Sequence, residues 1–591
     1  MLLKLLVDQA RHRPDLPPPY FRERAVRWAV QINKDGVPTP PCLISLADGK
    51  KSPGVVMPTP YVYRSGQKPP PFLLVDTLQF VCAMPKDDSD KAEAEAIRRN
   101  DEYLKLVRRW CDSAPDDPRA QAVRAFFERE EHLRLDLGEA GPTDTVAFRL
   151  SGDDVAYVHR SDSAVAYWQQ IVRERKSSGG KQGICLSCGA PGALLDTIPE
   201  PIRGGAIPVA KGRAGDAQLI SINKQAQGRS GITQLTNTPI CDGCGQGVAV
   251  LNSLLADDEH RHRLRDSVTV WWTKEPEDIP INKSIKDADP TDIRLIHTAA
   301  QKYDDVTDLD EIDTNLYYAV TLSANQGRVV LRDWINAPLP RVLRSVEAWF
   351  RDHQVFDPWK GITRNLPLWQ IARSCGRWDR ERKVYVNGSE PLTAEQELLT
   401  VALRGVSNDR LLAPPPWLLS HLLQRIGADA RIDLPRVALL HLFLARLPKE
   451  TAMSESTPEA EDAARVWGRV FALLEAIQRR AIPDLNTSLQ DRHFRAAMTR
   501  PQPVFVRLSS GALAHLRKLK HSKDEKAKRA GWAMEARLHT LIDQLPPEGP
   551  PSTFNLEQQA RFVCGYHAQC AADIAARAAG GGSGDADGTD S

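Results

Sequence analysis

A chain with two C-x-x-C-G pairs either brings four thiols to one point or leaves them idle. That choice constrains everything folded around them. Here the pairs are Cys185-Leu186-Ser187-Cys188-Gly189 and Cys241-Asp242-Gly243-Cys244-Gly245, with 52 residues between Cys188 and Cys241. Zinc takes four thiolates in a tetrahedron, and each pair supplies a two-sulfur clamp. Gly189 and Gly245 follow the second cysteine of each clamp, where a tight knuckle calls for positive φ and close approach to sulfur. Cys185, Cys188, Cys241 and Cys244 are therefore the predicted ligands of a structural Zn2+. Four thiolates close the coordination shell and leave no place for a reactive water, so such a metal holds structure. The alternative is four unrelated buried thiols. Disulfides are a poorer reading, because the other six cysteines are scattered and nothing marks the chain as secreted.

At 591 residues the length predicts about three or four domains. An apolar content of 42% with 26% charged residues fits a globular protein, and no apolar run approaches the ~20 residues of a membrane span. The apolar start Leu2–Val7 is too short for a signal peptide and reads on as a helix, which places the protein in the cytoplasm. The net charge is +2, so any nucleic-acid contact comes from local patches.

The pattern predicts an α+β fold. Residues 1–176 form a mixed α/β region: a strand over 25–32, a turn at Asp35-Gly36, a partner strand at 42–46, and a Pro-, Gly- and Lys-rich loop over 48–72. Helix follows over 86–130, with Ile97, Leu104, Val107 and Trp110 on its apolar side, then two strands over 145–158. Residues 177–275 are the zinc-pinned insertion. Residues 276–391 comprise an acidic, solvated linker and the remaining α/β segment, with strands at 316–322 and 328–334. From 392 to 579 helical periodicity dominates, as in Leu418, Leu419, Leu422 and Leu423, and predicts an all-helical bundle. Residues 580–591 read as a disordered tail. No phosphate-binding glycine loop, G-x-S-x-G, H-E-x-x-H or His-Asp metal dyad occurs, which points away from an enzyme.

Several stretches in order resemble one family, the large subunit of the type I-C CRISPR-associated Cascade complex. They are Arg64-Ser65-Gly66-Gln67-Lys68-Pro69 with Asp76; Leu219-Ile220-Ser221-Ile222-Asn223; Leu322-Ser323-Ala324-Asn325-Gln326-Gly327-Arg328; Gly468-Arg469-Val470-Phe471; Leu489-Gln490-Asp491-Arg492-His493-Phe494; and Arg561-Phe562-Val563-Cys564-Gly565-Tyr566-His567. The loop departs from the family's usual Gly-Ile-Lys-Pro-Asn, with Gln67 for isoleucine and Pro70 for asparagine. The resemblance implies a non-catalytic subunit partnered with crRNA and other Cascade subunits. It would read the PAM on double-stranded target DNA, help open it, steady the displaced single strand, and leave cutting to a recruited helicase-nuclease. Base pairing reads the long sequence and protein reads a short duplex flag.

Within that reading, Arg64, Gln67 and Lys68 form the PAM-proximal loop, with an ordinary exposed loop as the alternative. Lys211, Arg213, Asn223, Lys224 and Arg229, interleaved with glycines, suit phosphate contacts on duplex. Arg328 and Arg332 suit nucleic acid or sheet-surface ion pairs. Residues 492–529 carry 11 Lys or Arg against Asp524 and Glu525, and Arg517, Lys518 and Lys520 lead that segment as a track for the displaced strand. Met453, in a polar stretch before a helix, is the candidate internal start of a separate small helical product. The rivals are a zinc-containing nuclease or DNA-processing enzyme and a sequence-specific transcription factor.

Overall fold

The computed structural model describes residues 2–14, 16–49, 52–64, 68–177, 181–209, 215–222, 224–303, 315–325, 328–386, 388–404, 406–407, 410–447 and 458–581. Gln67, Lys211, Arg213, Asn223, Met453 and the tail from 582 lie outside the described residues, as does the end of the acidic stretch, 304–314. The chain forms two compact units. One comprises Met1–Lys274 with Val320–Asp333, and the other Glu275–Ala319 with Trp334–Ser591.

In the first unit, α1 (Leu2–Gln9) buries Leu3 and Leu6. Six strands follow: β1 (Phe21–Val26), β2 (Trp28–Ile32), β3 (Pro38–Ser45), β4 (Val55–Pro60), β5 (Val75–Thr77) and β6 (Thr145–Leu150). Four make a sheet in the order β3-β2-β6-β5, in which only β2 and β6 run parallel. The β2–β3 hairpin turns where Asp35-Gly36 predicts it. Gly36 has φ +76°, and a Cβ there would lie 2.5 Å from the Phe126 nitrogen. The loop expected over 48–72 contains β4, paired with β1 as a two-stranded ribbon. Pro58 and Pro60 disguise it, yet prolines suit a strand whose other edge is unpaired. In place of two strands, 145–158 holds β6 alone. Beyond it Gly152 turns the chain at φ +77°, and Arg119 Nη2 holds Asp153 at 2.7 Å.

Behind the sheet stand α2 (Leu78–Val81), α3 (Asp90–Ser113), α4 (Pro118–Glu128) and α5 (Asp162–Lys176). Ser89 caps α3, and Asp117 caps α4 ahead of a proline in its first turn. Tyr103, Trp110, Phe126, Phe148 and Trp168 fill the core. Ile97 is exposed because the buried side of α3 runs through Ala96, Tyr103, Val107 and Trp110, one position away. The insertion contributes β7 (Gln182–Ile184), β8 (Pro191–Ala193), α6 (Asp242–Gly245) and α7 (Gly247–Ala256). A second four-stranded sheet has the order β12-β11-β10-β9, built from β9 (Arg261–Arg263), β10 (Ser267–Thr273), β11 (Leu316–Asn325) and β12 (Arg328–Pro338).

The second unit begins where charge suggests a solvated linker. Residues 281–301 instead form α8 (Ile281–Asp287) and α9 (Pro290–Gln301). Asp289 accepts the Thr291 and Asp292 N–H groups, Pro290 occupies the first turn, and Ile296, Ala299 and Ala300 are buried. Of the acidic residues there, Asp289 is the cap, Asp287 is exposed, and buried Asp292 is answered by Lys283 at 3.0 Å; a sparse apolar stripe suffices to dock the helix. The remaining helices are α10 (Leu339–Asp352), α11 (Leu368–Arg373), α12 (Ser389–Leu403), α13 (Pro416–Asp429), α14 (Leu434–Arg446), α15 (Pro458–Ala481), α16 (Leu489–Thr499), α17 (Pro501–Lys520), α18 (Glu525–Ile542) and α19 (Leu556–Gly581). Three short antiparallel ribbons stand among them, Val355–Asp357 with Ile362–Arg364, Trp378–Asp379 with Val384–Tyr385, and Val406–Ser407 with Arg410–Leu411; C-terminal to Leu411 every described element is helical. The fold is α+β with an all-helical C-terminal region.

Candidate metal centre and nucleic-acid interface

The first clamp is the turn of a β-hairpin. β7 pairs with β8, Ile184 opposite Pro191, so Cys185 to Ala190 must reverse the chain. The Cys185 N–H donates to the Ala190 carbonyl at 3.0 Å and the Gly189 N–H to the Cys185 carbonyl at 2.8 Å. The Ser187 N–H donates to Cys185 Sγ at 3.4 Å. Gly189 has φ +74°, as the knuckle requires. The second clamp is a helix start. Cys241 precedes α6, and the Gly245 N–H donates to its carbonyl at 3.0 Å. Gly245 is helical and has no positive φ. Its glycine answers close packing, since a Cβ would lie 2.6 Å from Leu195 Cδ1. The Leu186 N–H to the Pro239 carbonyl and the Leu195 N–H to the Ile240 carbonyl, both 2.9 Å, tie the clamps together across the insertion.

All four sulfurs lie within 4.8 Å of one another, and Cys188 Sγ is 3.8 Å from Cys241 Sγ. A tetrahedron with ~2.3 Å Zn–S bonds has edges of about 3.8 Å, whereas a disulfide requires about 2.0 Å. Burial pushes the Cys241 and Cys244 thiols up. It acts on Cys185 in the same direction, but hydrogen bonds from backbone N–H groups outweigh it and bring that thiol down to about 6. Ionising the whole set at such spacing requires a cation among the sulfurs. Cys185, Cys188, Cys241 and Cys244 are arranged to hold one, and thiolates select soft or borderline metals over Mg2+ or Ca2+.

The loop beside β5 is anchored from below. Asp76, fully buried, accepts both ends of the Arg64 guanidinium, Nη1 at 3.3 Å and Nη2 at 2.5 Å. It also accepts the Phe72 and Thr77 N–H groups at 2.8 Å each. The Arg64 guanidinium carbon stacks 3.2 Å from the Phe72 ring centre. Both ends of the Arg64 guanidinium are thus engaged by the fold, and among the described residues of this loop Lys68 is an exposed cation. Breaking a buried, bidentate pair leaves a bare carboxylate, at a cost of ~3–5 kcal/mol. Arg64→Ala is therefore expected to lower stability measured by urea denaturation, with Lys68→Ala neutral in the same assay.

Lys224 and Arg229 are exposed on short 3-10 turns of the insertion. Arg332, on β12, is exposed and paired with Asp266 at 3.0 Å, which is the sheet-surface alternative raised by its sequence position. Arg328 begins β12. Of the basic trio on α17, Arg517 and Lys518 are exposed and Lys520 is half-buried. Lys518 donates to the Ala481 carbonyl at 2.8 Å, closing the end of α15. Lys520 is held by Glu535 at 2.7 Å and lies 4.4 Å from the Trp532 ring centre. Trp532, 56% exposed on α18, is a functional candidate that sequence patterning did not single out; an apolar aromatic among charges was the available signal. Arg492, Arg495, Arg500, Arg507, Lys523, Lys526 and Arg529 are also exposed along α16 to α18.

These features define a class: an α+β protein that gathers four cysteines into a cluster able to hold a metal ion and carries a basic helical surface. The model of the family CRISPR-associated protein (Cas_Csd1) matches residues 3–573, and the chain belongs to that family, the type I-C large-subunit family. It is thereby a CRISPR-associated Cascade subunit. No curated protein matches the chain. No helix among the described residues is long and apolar enough to cross a membrane.

Proposed function

We propose that this chain is the non-catalytic large subunit of a crRNA-guided complex in the cytoplasm. It reads the PAM on duplex DNA, promotes opening, and steadies the displaced strand while a recruited helicase-nuclease cuts. The observation that carries the reading is the family match over 3–573. Two further observations support it. The Arg64–Asp76 clamp anchors Arg64 at one end of a loop, and Lys68 is exposed in the same loop, where its ammonium can meet a base edge or a phosphate. Gln67 belongs to the same loop, while Lys211, Arg213, Asn223, Lys224, Arg229 and Arg328 would add phosphate contacts. Along α16 to α18 the exposed cations far outnumber their counter-charges, as a single-strand track requires. In the cysteine site Zn2+ would act as a structural staple.

In the assembled ribonucleoprotein, Lys68→Ala is expected to weaken binding to PAM-bearing duplex by roughly five- to 100-fold, the worth of a base or phosphate contact. Binding to a target already opened as single strand should change little, because PAM reading precedes guide pairing. Equal losses on both substrates would remove Lys68 from PAM reading. Divalent-metal-dependent DNA cleavage by the pure chain would overturn the non-catalytic assignment.

A further inference from the structure

We propose that the helical half holds a pocket for one unpaired nucleotide of a single strand, built between α15 and α19. The inference rests on the single-strand role proposed above and gives it a specific site. A cavity of about 490 Å3 lies there, open on one side. Arg465 and Arg469, one turn apart on α15, form one wall; Gln569, Ala568 and Ala572 on α19 form the other, with Gln544 at the rim.

The crossing of the two helices explains the hollow. They meet at paired glycines: a Cβ on Gly468 would lie 2.0 Å from the Phe562 carbonyl oxygen, and one on Gly565 would lie 2.0 Å from that of Arg465. One and two turns beyond Gly565, Ala568 and Ala572 present only methyl groups, so the space beside the arginines stays open. Gln569 is 3% exposed and locked. Its Oε1 accepts Arg469 Nε at 3.4 Å, and its Nε2 donates to Asp573 Oδ1 at 2.9 Å. Asp573 in turn accepts Arg537 Nη2 at 2.5 Å, so the nearby carboxylate is already answered. Among the described side chains, which on α15 begin at Ala463, neither Arg465 nor Arg469 has an ion-pair partner.

This chemistry matches a nucleotide. Two guanidiniums facing one hollow suit the paired oxygens of a phosphate. The amide of Gln544 can donate and accept at a base edge, and the alanine methyls with Val466 give an apolar face for the ring. The volume is that of a small-molecule site. A base paired in a duplex cannot enter it, whereas a base turned out of an unpaired strand can.

The test uses the full-length chain, a labelled oligothymidine and dTMP, read by fluorescence anisotropy. Arg465→Gln with Arg469→Gln is expected to weaken oligonucleotide binding at least tenfold. It should also reduce the slope of log affinity against log salt by about 0.7, the share of one phosphate contact on a single strand. Ala572→Leu, at an exposed position, removes space and no charge. It should weaken binding at least threefold with an unchanged salt slope, and that loss should vanish on an abasic oligonucleotide. Wild-type affinity in Ala572→Leu overturns the pocket; if Lys523→Gln with Arg529→Gln still weakens binding, the single-strand role survives without it. Binding of dTMP with no effect of either pocket variant on the oligonucleotide would assign free nucleotides as the ligand and overturn the strand assignment. No binding by the wild-type chain would overturn both.

Discussion

Cys241→Ser is expected to release one zinc per chain and to unfold the insertion, the largest single-site effect foreseen for the first unit. Metal binding to such sites is folding free energy, with apparent values of ~10–16 kcal/mol in small zinc domains, comparable with the entire stability of an ordinary domain. Cys241 has two duties here. Its sulfur stands 3.8 Å from Cys188 Sγ, and its backbone starts α6, which leads into α7. Losing the ligand therefore frees both the hairpin turn at Cys185 and the helix start. The variant should show no zinc by elemental analysis, rapid amide exchange across 182–247, and poor solubility. Cys42→Ser, a half-buried cysteine outside the cluster, should retain the metal. Acidification should mimic the loss, because thiolates must be deprotonated to ligate. A well-folded wild-type chain containing no zinc would overturn the assignment.

The four-cysteine cluster was legible because its members are a spacing, and spacing survives in a sequence. The hairpin at Asp35-Gly36 was legible for the same reason: turn chemistry is local. What escaped was decided by partners far along the chain. Pro58 and Pro60 read as loop until β1 is seen beside them. The acidic character of the stretch 275–313 concealed two helices, because a charge count ignores the apolar stripe in which Ile296 and Ala300 supply the docking face. Arg64 read as a DNA contact by its place in a basic loop, and only the fold brings Asp76 beneath it. Lys518 and Lys520 lie close to Arg517 in sequence, but helix geometry sends one to a carbonyl and the other to Glu535. Three stretches that carried the family resemblance converge in one place. Phe471, Phe494, Phe562 and Tyr566 form a single aromatic cluster with Phe505, and Tyr566 Oη donates to buried Glu475 at 2.7 Å. That resemblance therefore rests on a core.

The same core fixes the second large effect. Gly565→Ala is expected to destabilise the helical half by at least about 3 kcal/mol, at the upper end of overpacking costs. Two terms oppose each other. Alanine favours a helix interior over glycine by ~1 kcal/mol. Against that, the new Cβ would lie 2.0 Å from the Arg465 carbonyl oxygen and 2.8 Å from its carbon. Those atoms are backbone within α15 and cannot swing aside, so the helices must separate and the aromatic cluster beneath them must loosen. Gly468→Ala makes the reciprocal clash with the Phe562 carbonyl oxygen at 2.0 Å and should cost a similar amount. The double variant should cost less than the sum, because one separation relieves both contacts. Gly511→Ala is the control for propensity: Gly511 sits inside α17 with nothing within 4 Å of its Cβ position. That substitution should stabilise by up to ~1 kcal/mol. Urea denaturation of the full chain reads all four variants. If Gly565→Ala and Gly511→Ala shift the midpoint in the same direction, the close crossing of α15 and α19 is wrong, and the pocket built beside it falls as well.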